Sequence, residues 1–433
     1  MKSKLKYCSA LLLFLSVQAL AQETESDGHP HSTDNPLNHI HGSHPECPQA
    51  KSAQDIVLCA KDWHPDARKA KAAANQAQSL PSVARQLPNP EFETQTIAGQ
   101  SLGDQIIQSQ ISVVQPLEIG GKRGGRIKQA EARVDQANGE LLEVQAEVIL
   151  KTVTHLHRLR QLEKEKALLE EAIQAFSKII SQYKSRPRLP AEQEVSLAVF
   201  EMAVSDFKIK RSVVLQEERS IAHFFHVATG NSLDEIRSVL PKAPASWPDM
   251  KDKTEELASP TIRKLLAEHE LSLGEQESAR GASWPNLSVG PMVQYQAQGP
   301  IQYQMYGFQL NMTLPVLSLN GGGREYAAKG VARSETNLHI QREYERHERS
   351  ELLFSYETAL SALKEALSDE VLDKKHHKIE QLSVRGLISS SLVIESHRQL
   401  GELQKTKNDR ELKAIETLWQ IYKLDGRIFK ESL

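Results

Sequence analysis

Apolar and polar positions alternate in four short stretches of this chain and recur at helical spacing over most of the rest. Tyr306, Phe308, Leu310, Met312 and Leu314 share one parity, and Gly307, Gln309, Asn311 and Thr313 the other. Leu287, Val289, Val293 and Tyr295 alternate with Ser288, Gly290, Gln294 and Gln296, as Ile107, Ile111 and Val113 do with Gln108, Gln110 and Ser112. A period of two predicts strands, placed at 91–98, 104–117, 287–297 and 303–317 and joined in pairs by Gly99–Gly103 and by Gln298-Gly299-Pro300. Pro291 lies inside the third and weakens it, because proline cannot donate to a strand ladder.

The helical pattern is unusually long. A first helix is expected over 66–86, before Pro88-Asn89-Pro90. From Arg126 to Ser185 there is no proline and a single glycine, Gly139; from Arg324 to Arg385 there is no proline and a single Gly330. Roughly sixty helical residues would extend ~90 Å. Leu141, Val144, Val148, Val153 and Leu156 supply an apolar stripe in the first run. The turns Arg186-Pro-Arg-Leu-Pro190 and Arg385-Gly-Leu-Ile-Ser-Ser390 then predict returning helices over 191–229 and 389–430.

These elements are written twice. Gln115-Pro-Leu-Glu-Ile-Gly-Gly-Lys-Arg123 and Leu314-Pro-Val-Leu-Ser-Leu-Asn-Gly-Gly323 are strand–glycine–helix junctions of one design. Pro116 matches Pro315, Arg126 matches Arg324, and Pro88-Asn89 matches Pro285-Asn286. Gly120, Gly121, Gly321 and Gly322 are expected to be flexible joints where each strand hands over to a helix. The domain plan is a leader over 1–21, an arm over 22–64, a first repeat over 65–230, a proline-rich linker over 231–260 and a second repeat over 261–433.

Strands that alternate in this way fit an outer-membrane barrel, apolar outside and polar inside, and equally a half-buried soluble sheet. Four strands cannot close a membrane barrel, so strands that cross a bilayer would require several copies of the chain.

The first residues favour export. Lys2, Lys4 and Lys6 precede an apolar run from Ala10 to Ala19, and Ala19-Leu20-Ala21 is a small-x-small cleavage pattern, with the cut expected after Ala21. Removing 1–21 takes away three lysines and no acid, moving the formal charge from -3 to -6. That balance gives no basic face for nucleic acid. The two remaining cysteines, Cys47 and Cys59, could pair in an oxidising compartment or stay as free thiols. His29, His31, His39, His41 and His44, followed by Cys47, form a candidate chelating segment for Zn, Cu or Ni. It lacks the fixed ligand spacing of a zinc finger. Gly120 to Gly125 is no phosphate loop: Pro116 stands where the first glycine belongs and no Ser or Thr follows Lys122. No Gly-x-Ser-x-Gly or His-Glu-x-x-His occurs.

The leader, the paired junctions at Gln115–Arg123 and Leu314–Gly323, Pro88-Asn89-Pro90 and the hairpin turns together resemble the TolC-like outer membrane efflux factors. The Gly-Gly-Lys-Arg junction is most similar to the heavy-metal cation branch of CzcC type. The resemblance implies a mainly α chain with a membrane β-barrel part. Duplicated strand-strand-long helical hairpin units would form a trimeric twelve-stranded β-barrel above a long periplasmic α-helical barrel. It implies no enzyme and no cofactor. The partners it implies are a homotrimer, outer membrane lipid, a periplasmic adaptor docked on the hairpin tips, and an inner-membrane resistance-nodulation-division pump.

The tip pattern is carried by Arg385, Gly386 and Leu387, and in the first turn by Arg186 and Leu189, with Pro187 and Pro190 departing from it. Simple turn chemistry would also account for these residues. Glu192, Glu194 and Glu395 are candidates for an acidic periplasmic mouth, or else members of a solvated helix face. His376 and His377, beside Lys374 and Lys375, are expected at the surface. Four functions follow: a channel for heavy-metal cations, a channel for organic compounds, a soluble periplasmic metal-binding coiled coil, or a structural or adhesive coiled coil on the cell surface.

Overall fold

The computed structural model describes residues 50–433 except 102, 251–257 and 386. The chain opens with three helices, α1 (Ala53–Trp63), α2 (Pro65–Ala77) and α3 (Leu80–Arg85), then strands β1 (Glu91–Ser101) and β2 (Asp104–Leu117). The first hairpin is α4 (Lys122–Lys184) and α5 (Ala191–Thr229). After a short α6 (Leu233–Ser238), the plan repeats as α7 (Pro260–Gly281), β3 (Leu287–Gln298), β4 (Ile301–Met312), α8 (Gly321–Glu365), α9 (Asp369–Val384) and α10 (Ser390–Leu424). Each half is thus helix, strand pair, long helix and return. Among the described residues no helix is long and apolar enough to cross a membrane.

Three expectations need correction. Residues 53–63 do not belong to a free arm. They form α1, capped by the Ser52 side chain at Asp55 N–H, with Ile56, Val57 and Ala60 buried in the main core. The linker over 231–260 contains α6, nucleated by a reciprocal Ser232/Glu235 capping box. The second long run is not one helix, because α8 stops at Glu365 and α9 starts at Asp369. No proline or glycine is involved. Ser368 accepts from Val371 N–H, Asp369 and Glu370 fill the first turn of α9, and Lys407 holds both the Leu367 carbonyl and the Asp369 carboxylate. A cap signal plus a tertiary clamp restarts the helix.

The four strands form one antiparallel sheet in the order β1-β2-β3-β4. Its register explains the alternation. Phe92 pairs with Val113 and Thr94 with Ile111; Ile111 pairs with Val293; Val293 pairs with Tyr306 and Pro291 with Phe308. Every apolar parity therefore falls on one face, and Gln108, Gln110, Ser112, Gln294, Gln296, Gln309 and Asn311 fall on the other. The apolar face is bare, Phe308 being 83% exposed.

The sheet is also curled. Glu93 on β1 accepts from Gln309 Nε2 at 2.5 Å and Asn311 Nδ2 at 3.0 Å, both on β4. In a flat sheet these edges would lie ~14 Å apart, three inter-strand spacings. The polar face is accordingly concave and the apolar face convex.

The helices share a large core in which Ile56, Leu156, Phe225, Tyr356 and Trp419 meet, and a second cluster of Phe176, Phe200, Phe207 and Val393 nearer the hairpin turns. α4 and α7 cross closely: a Cβ on Gly139 would sit 2.9 Å from the Lys264 Cα. That contact explains a buried glycine in a helix, a position that otherwise costs about 1 kcal/mol relative to alanine.

Candidate channel wall and hairpin tips

The two strand–helix joints are built differently. In the first, Gly120 and Gly121 both adopt positive φ, 73° and 83°, a region that glycine enters without steric penalty. A Cβ on Gly120 would lie 2.1 Å from Trp284 Cγ. Lys122 Nζ then binds the Trp284 and Pro285 carbonyls and Asn286 Oδ1, at 3.0, 3.2 and 2.6 Å. Arg126 ties the carbonyls of Ala84 and Gln86 to the Glu118 carboxylate. The Pro285-Asn286 corner and the cations Lys122 and Arg126 thus tie the first joint to the entrances of β3 and β1.

In the second joint the left-handed residue is Asn320, with φ 53°. A Cβ on Gly321 or Gly322 would meet nothing within 4 Å, and both already belong to α8. The expected joint role of these two glycines is therefore carried by Asn320, whose Nδ2 donates to the Ala279 carbonyl at 2.9 Å. One flank of this joint is bare: Leu314, Val316, Leu319 and Tyr326 are exposed, and Leu317 is 98% exposed.

At the first hairpin turn, Arg186 donates to Gln193 Oε1 at 2.9 Å and lies over the Tyr183 ring, while Leu189 is half-buried. At the second, Arg385 and Leu387 are exposed, and Leu387 N–H closes the end of α9 on the Leu382 carbonyl at 3.0 Å. Gly386 lies outside the described residues, as do His29, His31, His39, His41, His44, Cys47 and the leader. Cys59 is disulfide-bonded, and its partner cysteine is also outside the described residues.

Glu192 and Glu194 are exposed on the first turn of α5. Glu395 is not a free acid. It takes a bidentate contact from Arg398, 2.7 and 2.9 Å, and a third from Gln399, 2.8 Å. The Arg398 contact holds its carboxyl below the ordinary carboxylate range.

Other functional-looking residues were not singled out from sequence. Arg158 on α4 grips Glu165 at 2.8 Å and Glu217 of α5 at 2.7 Å, and Asn408 of α10 donates to Glu165 at 2.8 Å. Arg158 holds the Glu217 carboxyl below its usual range. Residues 158 and 165 are seven apart, two turns on one helix face, inside the stripe of Leu156, Leu159 and Leu162. That spacing was a readable signal. In the same stretch His155 is half-buried and His157 buried, and burial pushes them down to about 4 and about 3. His376, expected at the surface, is 8% exposed, because α9 turns it towards α4 and α10; His377 is exposed as expected.

No family model and no curated protein matches this sequence. Solved structures do. The chain is similar to the CmeC outer membrane channel of Campylobacter jejuni at 13% identity and TM-score 0.66, covering 87% of this chain and 86% of that one. It is similar to the outer-membrane channel OprN at 13% identity and TM-score 0.67, over 89% and 94%. The MtrE outer membrane channel of Neisseria gonorrhoeae gives 15% identity and TM-score 0.61, over 87% and 89%. The mainly helical fold with two strand-strand-long-helix units, expected from the resemblance to TolC-like factors, is the fold these channels share with this chain.

Proposed function

We propose that this chain is the outer-membrane channel component of a tripartite efflux system, active as a trimer and exporting heavy-metal cations. The observation that carries the reading is the curled four-stranded sheet. It is apolar on its convex face, polar on its concave face, and open at β1 and β4. A bare apolar surface of this size needs a covering phase, and exposed strand edges in lipid must pair. Three copies of four strands would close into a twelve-stranded barrel, with lipid outside and the glutamine-rich face lining the bore. Glu93 and Gln309, which meet across the curl of one protomer, would then meet between neighbours.

The bare flank from Leu314 to Leu319 supports the same arrangement. The first joint packs against the second repeat, so repeating that relation once more places a neighbouring protomer's α3–β1 corner, with exposed Val83 and Leu87, on the second joint. The hairpins would continue the bore into the periplasm of a Gram-negative cell. Arg186, Leu189, Arg385, Gly386 and Leu387 would offer docking points to an adaptor that leads to an inner-membrane pump. Catalysis has no part in this reading.

For cargo, the Gly-Gly-Lys-Arg junction and the histidine-rich arm support metal cations. The commitment of Glu395 to Arg398 leaves Glu192 and Glu194 as the free acids near the tips and favours the second reading, a duct for organic compounds. The test is imaging of detergent-extracted particles, with drug and metal tolerance of a deletion strain. A trimer with an axial bore and loss of tolerance to zinc, cobalt, cadmium or copper is expected. A periplasmic monomer overturns the channel; sensitivity to dyes or antibiotics alone overturns the cation cargo.

A further inference from the structure

A cluster of donors between the two hairpins belongs to neither the bore nor the tips. His376 and Glu380 are one turn apart on α9, and His397 faces them from α10. One ligand atom from each lies within 4.8 Å of the others. His397 Nδ1 is 2.9 Å from the Val393 carbonyl. A carbonyl only accepts, so Nδ1 carries the proton and Nε2 presents its lone pair. That Nε2 is buried without a hydrogen-bond partner, on a residue 6% exposed. A backbone carbonyl that fixes the tautomer and aims the second nitrogen is how proteins orient a metal-ligating imidazole.

The spacing fits an ion. His376 Nε2 lies 3.2 Å from Glu171 Oε1 on α4 and 3.6 Å from Glu380 Oε1. Ligands ~2.0–2.1 Å from a tetrahedral Zn²⁺ stand about 3.3–3.4 Å apart. His376, His397 and Glu171 line a cavity of about 400 Å³, which provides a way in for a small ion.

We propose that His376, Glu380 and His397 form a binding site for a divalent first-row cation of the Zn²⁺ and Co²⁺ class, with Glu171 as an outer contact that orients His376. Two imidazoles with a carboxylate suit these borderline ions. Mg²⁺ and Ca²⁺ prefer all-oxygen shells, and Cu⁺ prefers thiolates. The ion would bolt α9 to α10 within the second hairpin, beside Phe176, whose ring centre is 5.0 Å from that of His397. The site does not depend on the channel reading.

The test uses the full-length purified chain loaded with Co²⁺, whose visible ligand-field band reports tetrahedral nitrogen and oxygen ligands. Metal content after dialysis supplies the stoichiometry. Because the arm histidines are present in every sample, the comparison is between wild type and His397→Gln, with Glu380→Gln as a second variant at a half-buried position should the first not fold. Wild type is expected to hold one equivalent more than either variant and to show a band that they lack. Glu171→Gln should weaken retention about 10–100-fold. A variant with alanine at all five arm histidines should keep the band. Equal metal content and an unchanged band in a folded His397→Gln or Glu380→Gln protein overturns the site.

Discussion

The first strand–helix joint is locked against the second repeat, while the second is held on one flank and bare on the other. Both were written from the same motif. Around Gly120 the chain has Trp284, Asn286, Gln86 and Glu118 to grip; around Gly321 it has α7 on one side and nothing within reach of a Cβ on the other. A duplicated sequence gives each copy the same elements, but each copy's surroundings depend on what stands next to it.

The buried cations make the largest test of this asymmetry. Arg349 on α8 and Asp425 after α10 are 2% and 1% exposed at the side chain, bonded at 2.8 Å. Arg158 on α4 shares its charge between Glu165, 8% exposed, and Glu217, 40% exposed. Asp425→Ala takes a buried, doubly bonded carboxylate away from a desolvated guanidinium and should cost about 3–5 kcal/mol. Glu217→Ala should cost about 1 kcal/mol, since solvent reaches that site and Glu165 remains. Thermal unfolding of the purified variants, followed by circular dichroism, checks the order. Equal losses would mean that the second copy is no more dependent on its buried pair than the first.

The joints themselves give the next contrast. Gly120→Ala forces a side chain into positive φ and onto the root of Trp284, and should destabilise by about 2–4 kcal/mol. Gly321→Ala sits at ordinary helical φ in open space and should be neutral or stabilising by up to ~1 kcal/mol. If Gly321→Ala instead breaks up an assembly of several copies, the space beside it is filled by a neighbouring copy. That would sharpen the comparison into an interface.

Acid separates the two long helices α4 and α8 as well. On α4, His155 packs edge-on to Phe224 and faces Lys151 and Glu217, with its pKa lowered to about 4, first by burial. At the equivalent depth α8 carries Leu353 and Ser355. A base depressed in the folded state binds fewer protons than in the unfolded state between about 4 and 6.5. Stability therefore falls as pH drops through that window and levels off below it. His155→Leu should remove roughly 1–3 kcal/mol of that acid sensitivity, read as a flatter dependence of the unfolding midpoint between pH 6.5 and pH 4.

What was legible in the sequence divides along the same line. Periodicity and punctuation are local, so the four strands, their apolar parity and the two hairpins could be read directly. The sheet register then put Phe92, Val113, Pro291 and Phe308 on one face, as the alternation required, and Pro291 stayed inside β3 despite its missing donor. Partners far along the chain could not be read. Nothing near Gly120 announces Trp284, and nothing near His376 announces His397 or Glu171. Some signals are local but masked by their surroundings: Ser232-x-x-Glu235 and Ser368-Asp-Glu are helix starts, one inside a proline-rich stretch and one inside a run without glycine or proline.

The restart at Ser368 is the smallest of the contrasts. α4 runs unbroken for 63 residues, whereas α8 yields to α9 at a joint held by Lys407. The Asp369 carboxyl is kept below its usual value, chiefly by the Lys407 hydrogen bond, and Lys164 of α4 adds a contact at 3.2 Å. Lys407 also takes the Leu367 carbonyl, which lies in the break between α8 and α9. The pair is half open to solvent, so Lys407→Ala should lower global stability by less than ~1 kcal/mol. Its effect should be local: faster amide hydrogen exchange at the start of α9, with the middle of α4 unchanged. If exchange at α9 is unaltered, the break is set by Ser368 capping alone. If exchange slows and α8 becomes continuous with α9, the Lys407 clamp is what imposes the break on a sequence that would otherwise run straight through, as its counterpart does in the first copy.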